Sequence, residues 1–151
     1  MAIARGAGTE IVRSASFEDI AGTTATPIIK GEQHHIYTVL SMVIWCTTLD
    51  TAGQNLQCYI TGYDSYAGTT GQNIYIFEYK PNAYNETFVW NDKFSFNGHE
   101  PTDFAGPMDD ATKQNAIADQ GSSTGQKLMV VSNHASTAFD VTVTFIDQNN
   151  A

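Results

Sequence analysis

Ile36-Tyr37-Thr38-Val39-Leu40-Ser41-Met42-Val43-Ile44-Trp45-Cys46-Thr47 is the stretch whose reading decides the fold. It holds no proline, glycine or charge, and its β-branched and aromatic residues suit a pleated surface better than a solvent-facing helix. Bulky apolar groups fall on both parities, which predicts a central strand covered on both faces. Asp50, Thr51, Gly53 and Asn55 are turn material, and Leu56-Gln57-Cys58-Tyr59-Ile60-Thr61 reads as a second strand. A hairpin centred on Ala52 would place Ile44 opposite Ile60, Trp45 opposite Tyr59 and Cys46 opposite Cys58. One face would then be aliphatic and the other aromatic and threonine-rich, a segregation that a one-residue slip would scramble.

Further strands are expected on both sides of this pair. Glu10 to Ile20 reads as a first strand, and Thr26 to Lys30 as a short edge strand because Pro27 cannot donate to a ladder. Asn73 to Lys80 is aromatic-rich; Thr87 to Trp90 and Lys93 to Phe96 form one bulged strand or two short ones around Asn91-Asp92. Lys127 to Val131 follows, and Phe139 to Asp147 has the clearest alternation. There Phe139, Val141, Val143 and Phe145 face inward, while Asp140, Thr142 and Thr144 face out. Many short strands with frequent turns predict an all-β antiparallel sandwich, jelly-roll-like, over residues 10–151. Residues 1–9 read as a flexible arm that orders only against another surface. Residues 99–126 form a long insertion with Pro101, Pro107 and a short helix started by Asp109-Asp110; it is the main candidate for a subunit contact.

Totals exclude several function classes. A chain of 151 residues buries roughly 68–70% of its unfolded surface and needs neither metal nor disulfide to fold. Seven basic residues against sixteen acidic ones give a net charge of −9, with no basic stripe, so direct nucleic-acid binding is not expected. Charged residues are 15%, and Thr, Ser, Asn and Gln take their place on the surface, which suits broad contacts with neighbours. The amino-terminal residues lack an apolar core of signal-peptide length, and no apolar run approaches ~18 residues; a cytoplasmically made protein is expected. The two cysteines read as small buried thiols, although the hairpin would bring them close enough to bond.

Catalytic chemistry finds no purchase. Adjacent His34 and His35 would point to opposite faces of a strand, and His99 and His134 sit near turns, so no metal spacing results. Asp109, Asp110 and Asp119 lack calcium-loop spacing, and Gly68 to Gly71 lacks a phosphate-loop lysine. Asn85-Glu86-Thr87 matches a glycosylation triplet by coincidence. Neither an enzyme nor a cofactor is expected. Tyr59, Tyr63, Tyr66, Tyr75 and Tyr79 would make a sugar-stacking platform if several shared an exposed face; otherwise they are half-buried sheet residues.

The segments HHIYTVLSMVIWCTTL (34–49), NIYIFEYKPNAYNETFVWNDKFSF (73–96) and KLMVVSNHASTAFDVTVTFID (127–147) resemble small β-sandwich virion proteins of tailed bacteriophages. RGAGTEIVRSASFEDI (5–20) is similar to the start of such proteins from marine, cyanobacterium-infecting phages. The chain departs from their pattern between Gly98 and Lys127, where the insertion replaces a short turn. The resemblance implies a structural virion protein assembled in the host cytoplasm, a capsid decoration or cement protein on the capsid surface. Its partners would be the major capsid protein or other virion proteins, and copies of itself as a trimer or dimer. Arg5, Ile11, Phe104, Pro107, Met108 and Ile117 are the interface candidates. The alternative is a tail, neck or fibre accessory protein with a glycan-binding adsorption role, using Tyr63 and Tyr66 for stacking.

Overall fold

The structure, a computed structural model, describes residues 9–51, 53–64, 69–99 and 125–149, with backbone alone for 62–64 and 69–72. The expected helix in the insertion, nearly all of the insertion itself and the arm up to residue 8 lie outside these.

Nine strands are described: β1 (Glu10–Ile20), β2 (Thr26–Lys30), β3 (His35–Thr48), β4 (Leu56–Asp64), β5 (Thr69–Tyr79), β6 (Thr87–Trp90), β7 (Phe94–Asn97), β8 (Lys127–Ser132) and β9 (Ala138–Asn149). They form two antiparallel sheets. Sheet A runs β1-β9-β3-β6, with β7 also on β3, and sheet B runs β2-β8-β4-β5. Successive strands mostly alternate between sheets, and the order within each is that of a jelly roll. The sequence expectation of an antiparallel, jelly-roll-like sandwich therefore holds.

The central stretch is placed differently from its reading. β3 is central in sheet A, paired with β9 on one side and with β6 and β7 on the other, whereas β4 belongs to sheet B between β8 and β5. Thus β3 and β4 do not form a hairpin. Residues 49–51 and 53–55 lie where the chain passes from one layer to the other, with Gly53 at φ 96°, and such corners use the same residues as tight hairpins. Cys46 and Cys58 consequently sit in opposite sheets, both buried and both free thiols. Coverage on both faces is also wrong: Val43 and Trp45 are exposed on the outer face. The apolar groups on both parities have another cause. The β3–β9 register shifts between Val39 and Ser41, making Leu40 a bulge residue. Tyr37 and Val39 face inward before it; Met42, Ile44 and Cys46 face inward after it. Opposite this bulge the neighbouring strand is broken, so β6 and β7 lie end to end along β3 with 91–93 between them.

The core joins the two inner faces. Val39, Met42, Ile44, Phe139, Val141 and Val143 from sheet A meet Leu56, Cys58, Leu128 and Val130 from sheet B, all at 0% exposure. Each large aliphatic side chain so buried stabilises by about 1.5–3 kcal/mol. One flank is closed by aromatics: Tyr79 stacks on Phe88 at 4.8 Å and Phe77 on Trp90 at 4.9 Å, linking edge strand β5 to edge strand β6. Both ends of the insertion are pinned at one end of the sandwich. His99 bridges Gly125, Gln126 N–H donates to the Gly98 carbonyl at 2.8 Å, and Gly31 N–H donates to the Gln126 carbonyl at 2.8 Å. A Cβ on Gly31 would overlap the Gly98 carbonyl, so glycine is required by the close approach of two backbones.

Candidate functional site

The strongest electrostatic cluster lies at that same end. The inward alternation of β9 continues past Phe145 to Asp147, which is 7% exposed. Arg13 Nε on β1 donates to its Oδ2 at 2.9 Å, and His35 Nδ1 on β3 lies 2.6 Å from its Oδ1. His35 Nε2 faces Glu32 Oε2 at 3.6 Å, and the Glu32 backbone N–H donates to the Tyr37 hydroxyl at 3.1 Å. Burial is the main influence raising the Tyr37 phenol above its ordinary value. Arg13, Glu32, Tyr37 and Asp147 line a cleft of about 210 Å³ with Ile28, Ile29, Lys30 and Phe145. An Asp–His pair suggests proton transfer, but Nε2 meets a carboxylate where a hydroxyl or thiol nucleophile would be needed. Arg13 is engaged by Asp147, which leaves Lys30 as the other cation on the lining. What the cluster does is tie β1, β9, β3 and the β2–β3 connection together.

The outer face of sheet A pairs many of its own hydroxyls. Ser14 pairs with Thr144 and Ser16 with Thr142, hydroxyl to hydroxyl at 3.1 Å; Thr38 pairs with Ser95 at 2.9 Å. One row crosses four strands as Ser16, Thr142, Val43 and Val89, and Trp45 stands in the next row opposite Thr87. Val43, Trp45 and Val89 are 39%, 44% and 54% exposed, an apolar patch beside a hydroxyl field. The outer face of sheet B is built otherwise. Tyr59 and Tyr75 lie side by side with ring centroids 5.3 Å apart, next to Gln57 and Glu78, whose side chains hydrogen-bond at 3.2 Å.

Of the interface candidates, Ile11 is described: it is half-exposed on β1, an 11-residue edge strand. Arg5, Phe104, Pro107, Met108 and Ile117 lie outside the described residues, as do Tyr66 and the side chain of Tyr63. Among the five tyrosines, Tyr59 and Tyr75 share an outer face, while Tyr79 is buried on the inner one. Sequence reasoning missed Trp45 and Val43, assigning them to a covered face, and missed Asp147, although a carboxylate in the inward register of β9 signals a buried ionic partner. His35 opens β3, while His34 precedes it at φ 66°. Among the described residues no three His, Cys, Asp or Glu side chains are placed so as to hold a metal ion, and no helix is long and apolar enough to cross a membrane. Both thiols are shielded by burial, which pushes Cys58 up to about 12 and raises Cys46 as well.

No family model matches the chain, and no curated protein matches it. Among solved structures it is similar to one described as Bacillus endospore appendages that form disulfide-linked pili, with a TM-score of 0.42 and 14% identity, covering 100% of this chain and 97% of that one. It is also similar to a structure of infectious bursal disease virus, Gt strain, with a TM-score of 0.35 and 12% identity, covering 95% of this chain and 38% of that one. Similarities this distant carry nothing about function.

Proposed function

We propose that this protein is a structural subunit of a tailed-bacteriophage particle, a decoration or cement protein held in many copies on the capsid surface. Its chief support is the Val43–Trp45–Val89 patch beside the hydroxyl rows of sheet A. An apolar centre with a polar surround is the make-up of a protein contact surface. The hydroxyls are already paired across strands, so covering them with another protein strands fewer donors than covering free ones. The sequence resemblance supplies the kind of particle, and the major capsid protein or a second copy of the chain supplies the partner. A jelly roll with a stacked aromatic flank is a spacer whose value lies in presenting that face. Contacts of this kind are weak singly and strong when repeated over a symmetric shell.

Copy number per purified particle tests the reading. Quantitative mass spectrometry should find the protein in a simple ratio to the major capsid protein. A few copies per particle would move it to the tail or neck, and its absence from particles would overturn the proposal.

A further inference from the structure

We propose that the outer face of sheet B carries a binding trough for a single ring of a neutral hexopyranose glycan, formed by Tyr75, Gln57 and Glu78 and backed by Tyr59. This does not depend on the virion role. The trough is created by a bulge. Cys58 pairs with Phe77 but Tyr59 pairs with Tyr75, leaving Ile76 as the extra residue in β5. In an unbroken strand Tyr75 and Phe77 would share a face and Glu78 would point the other way. The bulge instead turns Phe77 inward onto Phe88 and Trp90, and leaves Tyr75 and Glu78 both facing out. They stand three residues apart, no more than about 10 Å along the strand. Between them is a depression of about 260 Å³ lined by Gln57, Tyr75, Ile76, Phe77 and Glu78.

The chemistry of the walls selects the occupant. Tyr75 is 59% exposed on a strand, and Tyr59 holds its ring in place from β4. Such a ring offers an apolar face to the C–H side of a pyranose at small entropic cost. The opposite wall is polar and held in place. Lys80 Nζ donates to Glu78 Oε1 at 3.0 Å and Gln57 Nε2 donates to Oε2 at 3.2 Å. Sugar hydroxyls would donate to the lone pairs the carboxylate has left and to the Gln57 carbonyl oxygen. An aromatic wall facing a wall of acceptors fits a molecule with an apolar face and a hydroxyl rim. The exposed carboxylate and a net charge of −9 disfavour phosphorylated or acidic ligands. The volume lies below the roughly 300 Å³ at which ligand pockets usually begin, so one ring enters and the rest of a chain lies outside.

The test is titration of the full chain with cellohexaose, maltohexaose and chitohexaose, read by chemical shifts of the tyrosine rings and by Tm. At least one should saturate the Tyr75 resonance, with a Kd of about 1 mM, as expected for a small, open site. Tyr75→Ala should weaken that binding about tenfold or more, and Gln57→Ala severalfold, with Tm unchanged. Tyr75→Trp should retain binding, and Trp45→Ala, on the far sheet, should bind as the parent does. The proposal is overturned if none of the three saturates by about 20 mM, if Tyr75→Ala binds like the parent, or if the shifts map to Trp45.

Discussion

The two outer faces of this sandwich obey the same period of two and finish as different surfaces, and one bulge in each shows how. In sheet A the bulge at Leu40 lies on the central strand, and the break between β6 and β7 stands opposite to take it up. The inward set changes parity there, yet the outer face remains a field of paired hydroxyls and aliphatic groups. In sheet B the bulge at Ile76 lies on β5, with no further strand beyond it among the described residues, and the face opens into a depression. Here the irregularity at Leu40 is absorbed by its neighbours, and the one at Ile76 becomes a feature of the surface.

Three measurements would sharpen or break this contrast. The largest effect is expected from Trp45→Glu combined with Val89→Glu, which puts charge into the apolar patch without touching the core. Occupancy on particles should fall about thirtyfold or more, the scale of losing an interface hot spot of about 2 kcal/mol, while oligosaccharide binding on sheet B is unchanged. Unaltered occupancy would remove sheet A from the contact. A smaller effect, shared by both faces, is expected from Asp147→Asn. The carboxylate is buried but Arg13 is 52% exposed, so the loss should be about 1.5 kcal/mol in chemical denaturation and not the roughly 3–5 of a fully buried pair. A loss under about 0.5 kcal/mol would show that the cluster does not hold the end together.

The smallest effect is a pH dependence confined to sheet B. Lys80, and then Asn55 and Gln57, pull the Glu78 carboxylate down to about 2. A lowered value means the ionised acceptor is present above the ordinary carboxylate range and is lost only as pH falls through about 2. Oligosaccharide affinity should therefore be flat between neutral pH and pH 4. A drop centred on the ordinary glutamate value near 4.3 would show Glu78 to be unconstrained.

Legibility followed the physics of each element. Strand β9 was readable residue by residue, since one covered face and one open face produce strict alternation from Phe139 to Phe145. The partner of β3 was not, because Asp50 to Asn55 carries the same turn residues whether the chain doubles back in one sheet or crosses to the other. Its apolar residues on both parities had two available causes, coverage on two sides or a change of register, and composition does not separate them. Alternation also tells which residues share a face but not what lies against it, so Trp45 could be grouped with Val43 without being recognised as exposed. The Tyr59–Tyr75 pair was within reach as a conditional statement about five tyrosines; the bulge that completes the trough leaves no mark in the sequence around Ile76.

The position of β9 has a consequence for how the molecule comes into being. The segment translated last among these strands is the one that must slide between β1 and β3, made long before it, so β1 lacks its partner in sheet A until synthesis has passed Asn149. Until then β1 and β3 wait with open edges, and folding has to close a contact spanning nearly the whole chain, a slow class of event. A chain arrested before Ala138 should accordingly be captured by chaperones or precipitate, and the finished sandwich should emerge late, all at once.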